Sequence, residues 1–273
     1  MKDRALEAAL RFDDPGRRLN ALREYLQGFI LRSLHESEAS RAVVFVGGTA
    51  LRFLEDLPRF SEDLDFSRIA SDGYDPVRWL DKLKRDLHLA GFDSAVRWID
   101  RKPVQVAWIR TASLLVEAGL SGHPKQKLSI KVEIDTRPPA GATVLRSVIT
   151  RHFTFVIAHH DLPSLMAGKL HALLTRPWPK GRDWFDLVWY RSRRPPVAPN
   201  LPFLQRALDQ TQGAGRHRAA DWPRLLRARL AAVETGALIR DVEPFLERPA
   251  DAALLERVNL NAVLAASAEP RAQ

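Results

Sequence analysis

The sequence predicts an α+β fold of the α/β type: a mixed sheet with flanking helices, followed by an all-helical C-terminal part. Three observations carry that expectation. A short apolar run, "AVVFV", stops at a glycine pair and gives way at once to helical spacing. Further runs with strand periodicity follow, and a helix between two of them is suited to a crossover. From Asp161 onward the apolar spacing is helical almost throughout.

Taken in order, the first forty or so residues read as two helices. The second runs through "GRRLNALREYLQGFILRSL" after Pro15, with Leu19, Leu22, Leu26, Phe29 and Ile30 at helical spacing. "AVVFV" is a short buried strand that stops at Gly47, and "TALRFLEDL" is helical, with Thr49 as its cap and Pro58 as its stop. "EDLDFS" is extended, so Leu64 and Phe66 share one face while Asp63 and Asp65 share the other. Asp75 and Pro76 open the helix "DPVRWLDKLKRDLHLAGF". Strand-like runs are expected at "SAVRWID", "VQVAWIR", "SLLVEAG", "KLSIKVEID" and "FTFVIA". These patterns divide the chain into a catalytic domain with N-terminal helices over residues 1–160 and a helical domain over 161–273. "RSRRPPVAPN" is the best linker candidate between a catalytic region and the helical part, and the extreme C-terminus, "LAASAEPRAQ", is expected to fray.

Composition narrows the class. With 273 residues, 45% of them apolar, the chain can bury one large core or two modest ones. The lack of cysteine removes disulfides, thiol nucleophiles and thiolate metal sites, so any metal must bind oxygen or imidazole. No stretch approaches the roughly 20 apolar residues of a membrane span, and the start, "MKDRALEAALRFDD", turns acidic where a secretory signal stays apolar. A soluble, cytoplasmic protein without membrane contact is expected. Lys plus Arg outnumber Asp plus Glu by 42 to 33, a net charge of +9. Such a field attracts polyanions, and arginine enrichment of solvated faces accounts for it equally well.

The chemistry concentrates in "FVGGTALRFLEDLPRFSEDLDFS", residues 45–67. A strand that ends in Gly47-Gly48 and leads into a helix brings backbone N–H groups, and the partial positive charge of a helix terminus, toward an anion such as phosphate. Asp63 and Asp65 on one strand face repel each other unless a cation lies between them, and a hard divalent ion resolves that conflict. Magnesium favours carboxylate oxygens together with substrate phosphates, so this combination describes a metal-nucleotide site. In "KLSIKVEIDT" a further strand turns Lys131, Glu133 and Asp135 to one side, and Glu133 or Asp135 is available as a third carboxylate, with Glu133 preferred. Arg59 beside the pair either touches phosphate or balances the aspartates.

"GGTALRFLEDLPRFSEDLDF" resembles the first motif of the AbiEii/AbiGii toxin family, nucleotidyltransferase-like proteins that are the toxins of type IV toxin-antitoxin systems. "KLHALLTR" and "GRDWFDLVWY" resemble that family's later motifs, a lysine on a helix and an Arg-Asp-x-x-Asp at the next helix start. The spaced resemblance runs from about residue 43 to 190. It implies an enzyme that moves a nucleotide from an NTP to an acceptor, with Mg2+ held by Asp63, Asp65 and Glu133. The nucleotide would lie over Gly47, Gly48 and Thr49, with Arg59 and Lys169 on its phosphates. Threonine replaces the serine common in this fold and keeps the hydroxyl for a phosphate oxygen. Lys169 is implied to be catalytic together with Asp183 or Asp186, which lie one helical turn apart. Some members of the resembled family modify the acceptor end of tRNA, and a cognate antitoxin is a further implied partner.

Competing expectations stand beside these. A protein of this fold that binds nucleic acid or a partner without chemistry is one; a transferase acting on a protein or small-molecule hydroxyl is another. Lys169 on a random helix reads as a surface lysine, Asp183 as a helix cap and Asp186 as a partner of Arg182. His159 and His160 point different ways, His171 reads as structural, and Trp178, Trp184 and Trp189 are expected to pack the helical junction. The arginines of "RHRAADWPRLLRARL" either track RNA phosphates or form the solvated side of a helix packed through Leu225, Leu226 and Leu230.

Overall fold

The computed structural model describes residues 1–265. They divide into two compact units: Met1–Pro138 with Val144–His159, and Pro139–Thr143 with the chain from His160 onward. The first unit opens with α1 (Lys2–Leu10) and α2 (Pro15–Glu36). Asp14 starts α2 by accepting from the Arg17 amide, and Pro15 occupies the first turn, where its missing N–H is not needed. Leu22, Leu26 and Ile30 are buried, as their spacing requires.

The unit continues with β1 (Val43–Val46), α3 (Gly47–Glu55), β2 (Leu64–Arg68), α4 (Pro76–Leu89), β3 (Ser94–Ile99), β4 (Val104–Thr111), α5 (Leu114–Glu117), β5 (Leu128–Asp135), β6 (Val144–Ile149) and β7 (Phe155–His160). The strands form one seven-stranded sheet in the order β3-β4-β5-β2-β1-β7-β6. It is mixed, as expected: β1 runs antiparallel to β2 and parallel to β7, β2 runs parallel to β5, and β4 is antiparallel to both β3 and β5. Val43, Val44 and Phe45 of β1 are buried, each side chain contributing roughly 1.5–3 kcal/mol of transfer free energy before the entropy of ordering. In β5, Leu128, Ile130, Val132 and Ile134 face the core, which turns Lys131, Glu133 and Asp135 to the other side.

Two local expectations are corrected, and one strand was not expected. "SLLVEAG" is not a strand: its consecutive leucines, Leu114 and Leu115, are both buried, which suits the helical turn α5 and not alternation. Strand β6 carried no sequence signal, because it lies at the sheet edge and Val144, Leu145 and Val148 are all exposed. Helix α3 begins at Gly47, two residues before the expected cap; Thr49 lies inside it, and no side chain caps its start. It ends at Glu55, where Asp56 turns left-handed (φ 52°), before Pro58 is reached.

The second unit contains α6 (Leu162–Thr175), α7 (Gly181–Ser192), α8 (Leu201–Gln212), α9 (Trp222–Ala231), α10 (Thr235–Val242) and α11 (Arg257–Ala265). Asp161 caps α6 by accepting from the Ser164 amide, and Asn200 caps α8 through Phe203. "RSRRPPVAPN" joins α7 to α8 inside this unit and so does not separate the two units. Trp184 is fully buried, as expected, but Trp178 is 74% exposed, held outside the helices in a proline-flanked turn. The basic run agrees for the most part with the solvated-helix expectation, with Arg216, Arg218, Arg224 and Arg227 exposed, but two of its arginines also have backbone partners. Arg229 donates to the Leu174 and Arg176 carbonyls at the end of α6, and Arg227 to the Leu264 carbonyl of α11. Helix C-termini leave carbonyls that need donors, and part of this run supplies them. Leu226 and Leu230 are buried as predicted. The expected fraying at the C-terminus falls chiefly on residues 266–273, outside those described. Among the described residues no helix is long and apolar enough to cross a membrane.

Candidate active site

The turn after β1 is built for close approach. Gly47 takes φ +82°, a conformation that side chains with a Cβ adopt only with strain, and a Cβ there would lie 2.3 Å from Asp65 Oδ2. Gly48 abuts Arg59 in the same way, since a Cβ would lie 2.8 Å from its Nη2. Thr49 is fully buried, and its hydroxyl donates to the Asp63 carbonyl. The hydroxyl expected to reach phosphate is therefore turned inward, tying the helix start to the acidic segment. Arg59 is 1% exposed and donates through Nη1 to the Phe60 carbonyl at 2.8 Å, which places it beneath the turn.

The carboxylates come together through strand register. Asp65 in β2 pairs with Glu133 in β5, and parallel neighbours in register share a face. Asp135 pairs with Ser67 instead and accepts from the Arg137 amide, so Glu133 is the carboxylate beside Asp65. Lys131 is the residue that sequence reasoning passed over. Its Nζ lies 3.0 Å from Glu133 Oε2 and 3.4 Å from Asp63 Oδ2. Burial raises the Asp63 pKa and Glu133 adds to the rise, while Lys131 opposes it. Burial works to lower the Lys131 pKa, but the two carboxylates outweigh it and leave it above the usual lysine range. The strand parity of Lys131 was visible in the sequence; its ionic partners were not.

Among the described residues no three histidine, aspartate or glutamate side chains converge closely enough to hold a metal ion. The donor chemistry at Asp63, Asp65 and Glu133 is nonetheless that of a hard divalent cation, being carboxylate oxygen throughout. Asp65 is packed against the one residue that has no Cβ to displace it.

In the second unit, α6 and α7 enclose a buried charge cluster. Lys169 Nζ lies 3.0 Å from Asp183 Oδ1 and 2.8 Å from Asp186 Oδ2. The lysine side chain is only 14% exposed and that of Asp186 is at 0%, so the surface-lysine reading is excluded. Asp183 also receives Arg176, the second residue that sequence reasoning missed. It does not cap α7, whose N-cap is Lys180 with no side-chain bond, and both aspartates contact the lysine. Gly181 is required for packing: a Cβ there would lie 1.9 Å from the Leu238 carbonyl oxygen of α10. Arg182 stacks over Phe245 at 4.3 Å.

A second buried network steadies the helix that follows the turn. Arg52 of α3 donates through Nε to Glu24 Oε2 at 2.5 Å, and Arg151 and His152 approach Glu24 Oε1 at 3.3 and 3.2 Å. Burial pushes the Glu24 pKa up, yet the His152 hydrogen bond and the Arg52 and Arg151 charges outweigh it and hold it at about 2. Gln27 donates to the Ser61 and Glu62 carbonyls at 3.1 and 2.9 Å, fixing the approach to Asp63. His159 meets Ser147 at 2.8 Å and His160 packs edge-on to Phe203, while His171, the one expected to be structural, meets Thr211 at 3.0 Å.

A mixed sheet that sets two in-register carboxylates beside a helix-opening glycine turn agrees with the nucleotidyltransferase class that the sequence motifs resemble. The chain belongs to the nucleotidyl transferase AbiEii toxin family of type IV toxin-antitoxin systems, whose profile matches residues 29–259. Among solved structures it is similar to MenT4, a nucleotidyltransferase toxin from Mycobacterium tuberculosis H37Rv, with 22% identity over 97% of this chain and 89% of that one and a TM-score of 0.58. It is also similar to a putative nucleotidyltransferase from H. pylori, with 20% identity over 90% of this chain and 94% of that one and a TM-score of 0.52. These likenesses establish the fold. No curated protein matches the chain.

Proposed function

We propose that this nucleotidyltransferase is magnesium-dependent and that its acceptor is RNA, at the acceptor end of tRNA, with toxicity following from the modified RNA. The observation that carries the reading is the Asp65–Glu133 register beside Gly47. Asp63, Asp65 and Glu133 would hold the divalent ion, which when bound supplies positive charge to the triphosphate. The Gly47-Gly48 turn lets phosphate approach backbone N–H groups at the start of α3. The acceptor hydroxyl oxygen bonds to the α-phosphorus, the bond from that phosphorus to the bridging oxygen breaks, and pyrophosphate leaves. The hydroxyl proton passes to a carboxylate of the cluster. For Lys169, steadied by Asp183 and Asp186, the proposed role is to offset phosphate charge. Catalysis of this kind is positioning and electrostatics.

The RNA acceptor is supported by the net charge of +9 and by the family's type. A cognate antitoxin and a cytoplasmic location accompany the same reading. The test is incubation with each labelled NTP, Mg2+ and total RNA. Label should pass to an RNA of tRNA size, and Asp65→Asn should abolish the transfer. Label that reaches only a protein or small hydroxylated acceptor overturns the RNA assignment, and no transfer to any acceptor favours a binding protein.

A further inference from the structure

Lys131 projects from β5 on the same face as Glu133, two positions away, and its ammonium bridges Glu133 Oε2 and Asp63 Oδ2. Asp65 stands beside Glu133 in register, so the two carboxylates that hold this ammonium have a third as a strand neighbour. Asp63 and Glu133 meet that ammonium, and among the described residues the three carboxylates do not converge as a metal shell. The lysine side chain is 23% exposed, and Asp63 is 41% exposed on its solvent side. Four methylenes separate the ammonium from the backbone, so it can leave by changing rotamers while β5 keeps its ladders.

We propose that Lys131 is a built-in counter-ion that competes with the divalent cation for Asp63 and Glu133, so that loading of the site requires its ammonium to swing out. Lys131 is in this sense a positioning residue: it holds the acidic cluster together while no metal is present, and it sets how tightly metal binds. The inference rests on the metal-nucleotide reading of Asp63, Asp65 and Glu133.

The test uses the full chain without nucleotide and Mn2+ as the probe, followed by calorimetry and by the Mn2+ paramagnetic signal. Lys131→Met should bind Mn2+ about tenfold more tightly, since one like charge has gone from the site. Its thermal midpoint should fall without metal and recover on adding Mn2+, a pattern that lost packing alone does not give. Lys131→Arg, which keeps the charge, should restore weak binding. A Lys131→Met variant that binds no tighter than wild type, or a Lys131→Arg variant that binds as tightly as Lys131→Met, overturns the proposal. A second measurement needs no variant: Mn2+ should raise the rate at which an amine reagent labels Lys131 in the wild-type protein. Unchanged labelling while Mn2+ is bound overturns it as well. Mn2+ binding that survives Asp65→Asn, or is absent from wild type and Lys131→Met alike, overturns the metal reading itself, and this proposal with it.

Discussion

Asp65 fills the space that a side chain on Gly47 would need: a Cβ at Gly47 would stand 2.3 Å from Asp65 Oδ2. The glycine turn and the acidic strand therefore constrain each other. Gly47→Ala meets both the clash and the positive φ, at about 1–2 kcal/mol for the backbone alone. Displacing Asp65 by about an ångström should reduce nucleotide transfer roughly 100-fold. Urea unfolding and the labelled-NTP assay check the two effects, and full activity in Gly47→Ala would contradict the coupling.

Lys169 and Asp186 form a buried pair, so removing one partner strands charge in the other. Lys169→Met should cost on the order of 3–5 kcal/mol. Asp186→Asn should be comparably harmful, whereas the double variant should lose at least ~1 kcal/mol less than the sum of the two. Equilibrium denaturation of the four proteins measures that coupling.

Acid stability should follow Glu24. Its folded pKa of about 2 lies below the ordinary carboxylate value of 4.5, so its contribution is complete above pH 4.5 and disappears as pH falls toward 2. The difference corresponds to roughly 3 kcal/mol. Urea midpoints between pH 6 and 2 should show that decline in wild type and a flatter profile in Glu24→Gln.

Arg229 is assigned to the carbonyls at the end of α6, not to RNA. Arg229→Ala should lower stability by about 1–3 kcal/mol, the usual range for charge-assisted bonds and the acceptors they leave unmet. The salt dependence of RNA retention should not change. A variant of unchanged stability whose salt slope falls by about one unit would reverse the assignment.

The elements that place the acidic pair were legible because their signals are local. Gly-Gly after an apolar run, alternation through Leu64 and Phe66, and Asp-Pro helix starts each follow from backbone chemistry. What sequence reasoning missed depends on pairing between distant segments. Lys131 is one of many surface-parity lysines until β5 is laid beside β2, and Glu24 is one helix carboxylate until Arg52, Arg151 and His152 close around it. Thr49 was misread for a related reason: its spacing suits a cap, but the helix starts earlier and the hydroxyl finds the Asp63 carbonyl. In the second unit, the family motif marked Lys169, and only the packing of α6 against α7 showed that both aspartates meet it.

Strand β2 has a neighbour along each edge, β1 on one and β5 on the other. Amide exchange at Asp65 should accordingly rank with the slowest in the chain, because opening that residue means parting two ladders at once. An inhibitor that acts on the intact protein is thus left with occlusion or charge masking as its route, and the sheet interior offers it no hinge to pull.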